Sequence, residues 1–173
     1  MIKKNIKLDY KIIDNFLPKE EFNTIKNLFF SDFLSWFYQA NGVSNPKNLS
    51  KDGIYFTHLF YYFSKDKVAI SNFYQNIIPI INRLDIQSVL RVKGNLYPKT
   101  DVIYEHKKHA DMPFKHKGFL YYVNTNNGFT RLSNGDKIKS VENRGLFFDP
   151  SLLHNSSTCT NSDSRININF NYF

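Results

Sequence analysis

The stretch Tyr104-Glu105-His106-Lys107-Lys108-His109-Ala110-Asp111 ends in a His-X-Asp triplet, and the fold is read outward from that triplet. In an extended strand, residues two apart project to the same side, so His109 and Asp111 present an imidazole and a carboxylate to one point. That is half a metal site. His154, on a neighbouring strand, would complete two histidines and one carboxylate on one face of an ion. The positions left open opposite them suit Fe(II) oxygen chemistry. Alone the triplet is a weak signal, because a chain with five His and fifteen acidic residues often holds one by chance.

Two alternating stretches add weight. Leu90-Arg91-Val92-Lys93-Gly94-Asn95-Leu96-Tyr97 puts Leu90, Val92 and Leu96 on one face and Arg91, Lys93, Asn95 and Tyr97 on the other. The apolar face is expected to cover N-terminal helices. The polar face lines either a ligand cavity or solvent. Ser164-Arg165-Ile166-Asn167-Ile168-Asn169-Phe170-Asn171-Tyr172 alternates the same way, with Arg165, Asn167, Asn169 and Asn171 on one side. If that side is buried, an unpaired Arg165 costs several kcal/mol, whereas a guanidinium binds a carboxylate through two parallel charge-assisted hydrogen bonds. Arg165 therefore calls for an anion, either a ligand or a structural partner such as Asp149 or Asp163.

Taken in order, Leu96-Tyr97-Pro98, His109-Ala110-Asp111, Leu120-Tyr121-Tyr122-Val123-Asn124, Arg144-Gly145-Leu146-Phe147-Phe148, His154 and Arg165-Ile166-Asn167-Ile168 resemble the 2-oxoglutarate/Fe(II)-dependent dioxygenases, in particular their prolyl-4-hydroxylase-like branch. The run Asn124-Thr125-Asn126-Asn127-Gly128-Phe129-Thr130 and the Asn-rich C-terminus are similar to members encoded by tailed phages. The motif-bearing part spans roughly residues 90 to 173. The resemblance implies an α+β, mainly β fold: a double-stranded β-helix (jelly roll, cupin-like) with N-terminal helices on the major sheet. It implies one dioxygenase domain over 1–173, with 1–89 as supporting strands and helices and 90–173 as the catalytic core.

The same resemblance implies His109, Asp111 and His154 as catalytic metal ligands. It makes Arg165 the grip on the distal carboxylate of 2-oxoglutarate, with Tyr122 donating to the same group and Tyr97 beside it. Asn95 and Asn167, on the same two faces, join the expected cofactor-binding set. The implied cofactors are Fe(II), 2-oxoglutarate and O₂, with ascorbate as a candidate reductant. The implied reaction hydroxylates an unactivated C–H bond and releases succinate and CO₂. A peptidyl proline or another protein side chain leads as substrate, and a small molecule remains open. The alternatives are a nucleic-acid base oxygenase or demethylase, and a non-catalytic jelly-roll structural module.

Composition sets further bounds. A length of 173 residues favours one domain, and seventeen Phe, eleven Tyr and one Trp supply a large apolar area for a core. The lone Cys159 forms no internal disulfide, and no signal-like or membrane-length apolar run occurs, so a cytoplasmic protein without a membrane partner is expected, in the host cytoplasm if phage-encoded. The net charge of +8 is scattered, apart from Lys107, Lys108, Lys115 and Lys117, and admits a nucleic-acid partner. Oligomeric state is not legible.

Elsewhere, residues 8–13 alternate as a strand, and Phe22, Ile25, Leu28 and Phe29 predict a helix over 18–30. Residues 33–39 and 54–63 are aromatic-rich and predict strands, with a loop over 41–52 between them. His58 is expected to be structural. Residues 68–84 predict a second helix, kinked or broken at Pro79. His106 and His116 are expected at the rim rather than as ligands, and Ser133-Asn134-Gly135-Asp136 predicts a hairpin turn.

Overall fold

The computed structural model describes residues 10–39 and 54–173. The expected loop 41–52 and the first two residues of the expected strand 8–13 lie outside them.

Strands from both halves of the chain build the larger of two sheets, with the alternating stretches 90–97 and 164–172 adjacent within it. The strands are β1 (Lys11–Ile13), β2 (Phe37–Gln39), β3 (Tyr55–Ser64), β4 (Lys67–Ile70), β5 (Val89–Pro98), β6 (Lys117–Tyr122), β7 (Phe129–Arg131), β8 (Lys137–Lys139), β9 (Arg144–Phe148), β10 (Asn155–Ser156) and β11 (Ser164–Tyr172). Eight of them form one sheet in the order β1-β9-β6-β11-β5-β3-β2, with β4 added on β3. The remaining three form a small sheet, β10-β7-β8. This two-sheet, antiparallel arrangement is the jelly roll expected from the sequence.

β11 lies at the centre of the large sheet, antiparallel to β5 and β6, with Asn167 opposite both Asn95 and Tyr122. Its apolar face carries Ile166, Ile168, Phe170 and Tyr172, which join Val92, Phe119 and Tyr121 in the main core. Helix α1 (Lys19–Phe29) closes that core with Phe22, Ile25 and Phe29, spaced to fall on one side of the helix. Pro18 precedes its first turn, Glu20 and Glu21 sit at the positive end of the helix dipole and Lys26 at the negative end. A second cluster, including Leu120, Tyr122, Leu132, Ile138 and Phe148, fills the space between the sheets at one end.

Two N-terminal expectations change. The strand expected over 33–39 shortens to β2, and Phe33 is 80% exposed. The helix expected over 68–84 divides into strand β4, a 3₁₀ turn (Tyr74–Ile77) and a short helix α2 (Ile78–Ile81). Pairing of Val68 and Ala69 with Phe63 and Tyr62 of β3 claims the first part. Pro79, having no N–H, stands in the first turn of α2, so of the kink or break expected there the structure has the break. His58 is structural: Nδ1 lies 2.8 Å from the Ser35 carbonyl and Nε2 2.8 Å from Ser71 Oγ. The expected turn joins β7 to β8, with Gly135 at φ +94°, a conformation that favours glycine. No helix among the described residues is long and apolar enough to cross a membrane.

Because Phe29 seats α1 on the sheet, Phe29→Ala should lower unfolding free energy by about 3–5 kcal/mol. Phe33→Ala, at a fully solvated position, should stay within about 0.5 kcal/mol of the parent. Urea denaturation followed by tryptophan fluorescence reads both.

Candidate metal and anion site

The triplet is held in place by pairing across the cavity mouth. His109 and His154 form an isolated antiparallel bridge, each backbone N–H donating to the other's carbonyl at 2.9 Å. The Asp111 N–H donates to the Pro150 carbonyl at 2.9 Å. The result brings His109 Nε2 to 3.7 Å and His154 Nε2 to 3.9 Å from Asp111 Oδ1. The three side chains offer ligand atoms that all lie within 4.8 Å of one another, so they could hold one ion.

The surrounding bonds orient these groups. His154 Nδ1 lies 2.9 Å from the Leu152 carbonyl, and His109 Nδ1 lies 3.4 Å from the Lys107 carbonyl. A carbonyl only accepts, so Nδ1 carries a hydrogen in each ring and Nε2 is the atom turned toward Asp111. Asp111 Oδ2 accepts from Asn169 Nδ2 and Asn171 Nδ2, both at 2.9 Å, which leaves Oδ1 for the imidazoles. Arg91 Nη2 stands 3.2 Å from Oδ1, while Arg91 Nε donates to Asn171 Oδ1 at 3.1 Å. Burial alone would raise the Asp111 pKa, but His109, Arg91, His154 and Asn171 outweigh it and hold the carboxyl well below the usual range. Burial also pushes His154 down, keeping it a neutral donor.

At the other end of the same strand face sits Arg165, which is 0% exposed. Its Nε donates to Ser140 Oγ at 2.7 Å, Nη2 to Thr130 Oγ1 at 3.0 Å and Nη1 to the Ser157 carbonyl at 3.4 Å. The guanidinium carbon lies 5.3 Å from the Tyr97 ring and 5.8 Å from the Tyr122 ring. The Tyr122 hydroxyl donates to the same Thr130 oxygen at 2.9 Å. No carboxylate among the described residues pairs with Arg165. Asp149, one of its two expected structural partners, instead accepts from Ser151. Gly128 makes this packing possible, since a Cβ there would lie 2.6 Å from Arg165 Cδ and 2.7 Å from the Thr158 carbonyl oxygen.

A cavity of about 250 Å³ runs from the triplet to Tyr97 and Thr130, against which Arg165 packs, and is lined among others by His109, Asp111, His154 and Lys93. Asn95 and Asn167 also line it, joined by a 3.0 Å bond from Asn95 Nδ2 to Asn167 Oδ1. All eight sequence-predicted site residues therefore lie in this cavity or directly against its lining. Sequence reasoning missed several others. Arg91, Asn169 and Asn171 share the polar faces that alternation had identified, but which of those residues would meet Asp111 was not legible. Tyr55, stacked on Tyr97 at 5.7 Å, comes from a strand read only as aromatic. His106 and His116 are not rim residues: both are buried, His106 Nδ1 at 2.7 Å from Ser156 Oγ and His116 Nε2 at 3.0 Å from Asn171 Nδ2. The stretch 104–111 is paired only at isolated bridges rather than as one continuous strand, so counting residues did not decide which way His106 points.

No protein-family model matches the chain, and no curated protein matches it. Solved structures do. A prolyl hydroxylase from Trichoplax adhaerens, in complex with a hypoxia-inducible-factor oxygen-degradation-domain peptide, aligns with TM-score 0.60 at 16% identity over 95% of this chain and 83% of that one. A viral collagen prolyl hydroxylase from Paramecium bursaria Chlorella virus-1, in a 2-oxoglutarate complex, aligns with TM-score 0.57 at 14% identity over 94% of each chain. A 2OG-Fe(II) oxygenase family protein from Burkholderia pseudomallei aligns with TM-score 0.70 at 9% identity over 96% of this chain and 86% of that one. This chain has the 2OG-Fe(II) oxygenase fold. At these identities the oxygenase fold is what the alignments establish, and the chemistry rests on the residues above.

Two tests follow from this geometry. Gly128→Ala should cost about 1–3 kcal/mol by forcing Arg165 or the Thr158 backbone aside, read as a lowered denaturation midpoint. Glu105, hydrogen-bonded to Arg131 at 2.6 and 2.7 Å, ties the stretch before the triplet to β7. Those bonds, helped by Asn155 and Lys137, lower its pKa to about 2. Its stabilisation is complete above the ordinary Glu pKa of about 4.3 and is lost as pH falls toward the folded value. Glu105→Gln should therefore flatten the acid limb of the stability curve between about pH 4 and 2.

Proposed function

We propose that this chain is an Fe(II)- and 2-oxoglutarate-dependent dioxygenase that hydroxylates an unactivated C–H bond, with release of succinate and CO₂. The observation that carries the reading is Arg165: a fully buried guanidinium with, among the described residues, only neutral acceptors, on the same strand face as Asn169 and Asn171, which hold Asp111. An unpaired buried charge is expensive, and an incoming carboxylate removes that cost.

The donor set fits the metal. Two imidazoles with oriented Nε2 lone pairs and one carboxylate oxygen on a common side match the two-histidine, one-carboxylate facial triad of non-haem Fe(II). His109, Asp111 and His154 would hold the ion. Arg165 would bind the distal carboxylate of 2-oxoglutarate, with the Thr130 and Tyr122 hydroxyls turning to the same group. Tyr97 would wall the cosubstrate on one side, with Asn95 and Asn167 along its length. The iron, once bound, supplies activation of O₂, for which the side chains have no substitute. Asn169, Asn171 and Arg91 keep Asp111 ionised and fixed in direction, and the cavity walls limit water.

For the substrate, the supporting likeness is to proteins whose names specify prolyl hydroxylation, one of them solved with a peptide bound. A side chain of a protein or peptide, peptidyl proline in the first instance, is the reading adopted. The exposed Lys107, Lys108 and Lys115 keep a nucleic-acid base as the second reading.

Anaerobic addition of 2-oxoglutarate to the Fe(II) protein should produce a visible charge-transfer absorption. His109→Ala should lose it. Arg165→Ala should weaken cosubstrate binding by about 2–5 kcal/mol, roughly thirtyfold or more. Asp111→Ala should abolish succinate formation, and full succinate output from that variant would remove Asp111 from the ligand set. No absorption at millimolar 2-oxoglutarate would leave a non-catalytic jelly roll as the better description.

A further inference from the structure

Beside Asp111 the cavity carries more positive charge than the proposed chemistry uses. Arg91 and Lys93 are on the cavity face of β5, two residues apart, and both line the space. Arg91 is engaged by Asp111 and Asn171. Lys93 is half-buried, and among the described residues it has no carboxylate and no hydrogen-bond acceptor. Burial, then Arg91 alongside, lowers its pKa to about 8 against the opposing pull of Asp111, so at neutral pH it still carries its proton.

A charge count on the proposed site sharpens the point. The divalent metal and Arg165 are balanced by Asp111 and the dianionic cosubstrate. Arg91, already held by Asp111 and Asn171, and Lys93 add net positive charge beyond that balance, in a cavity where a charge interacts more strongly than in water. Position separates the surplus from the cosubstrate grip. Lys93 stands opposite Asn169 and Tyr97 opposite Arg165, so the two cations are four residues apart along the sheet, about 13 Å in strand rise. The surplus therefore lies away from the distal-carboxylate grip.

We propose that the substrate is an acidic peptide, which places a carboxylate side chain, at or next to the hydroxylated residue, against Lys93 with Arg91 behind it. This rests on the dioxygenase reading and narrows its substrate class. Size favours a side chain over a flipped nucleobase. The cavity of about 250 Å³ is below the roughly 300–1,000 Å³ usual for small-molecule sites, and it must also admit the cosubstrate.

The test is anaerobic calorimetric titration of the full chain loaded with Fe(II) and 2-oxoglutarate, near pH 7. The probes are the blocked tripeptides acetyl-Ala-Asp-Ala-amide and acetyl-Ala-Asn-Ala-amide, which match in shape and differ by one charge. The Asp probe should bind about tenfold or more tightly than the Asn probe. Lys93→Gln should shrink that ratio below about twofold, and Lys93→Arg should retain it. The wild-type contrast decides even if a variant folds poorly. Equal affinities, or no binding of either probe, overturn the proposal. So does a preference that survives in Lys93→Gln. A preference present without 2-oxoglutarate but lost when it saturates the site assigns Lys93 to the cosubstrate, and tighter binding of a thymidine trinucleotide than of the Asp probe assigns it to nucleic acid. The charge-transfer absorption of the same sample separates the two levels: its absence defeats the cofactor reading, whereas its presence with equal probe affinities defeats only the substrate assignment.

Discussion

A central strand must satisfy two environments at once, and β11 does so residue by residue. Because successive side chains point to opposite sides, Ile166, Ile168, Phe170 and Tyr172 enter the apolar core under α1, while Arg165, Asn167, Asn169 and Asn171 face the cavity. A slip of one residue would put a guanidinium and three amides into the core and four apolar groups into the site. Pairing to β5 and β6 along most of its length holds that register. Everything chemical in the molecule is placed relative to this strand.

The polar face is graded in function along its length. At one end Arg165 is packed between two tyrosine rings and, among the described residues, bonded only to neutral oxygens, an electrostatic cost that a carboxylate would relieve. Four and six residues on, Asn169 and Asn171 turn their amide donors on one oxygen of Asp111, so that the other faces the imidazoles and Arg91. The amides make the carboxylate directional and Arg91 keeps it ionised, as outer groups would for a metal ligand. The core on the opposite face gives this row a rigid backing.

Packing around Arg165 shows how much a site depends on small residues. Gly128 leaves room for the Arg165 side chain, and Ser140 and Thr130 supply hydroxyls short enough to reach it without filling the cavity. None of these carries a reactive group. Their contribution is to let a bulky cation be fully buried where two sheets come together.

Residue type and period were enough for part of this. Alternation identified the two faces of β5 and β11, and helical spacing identified α1. The His-X-Asp triplet, with His154 and Arg165 after it, marked the side chains that converge. Local pattern served there because a strand's or helix's own geometry decides which side a residue faces. It failed where a tertiary partner overrode local preference: β3 claimed Lys67–Ile70 as a strand, and the irregular stretch around the triplet turned His106 and His116 inward. The sequence by itself determined which residues share a face. Only the tertiary structure decided which faces meet: that Asn169, Asn171 and Arg91 converge on Asp111, and that among the described residues Arg165 has no carboxylate partner and Lys93 is left over. The physical reason is that such pairings are set by strand order and sheet closure, which bring together residues as far apart as 80 positions in the chain.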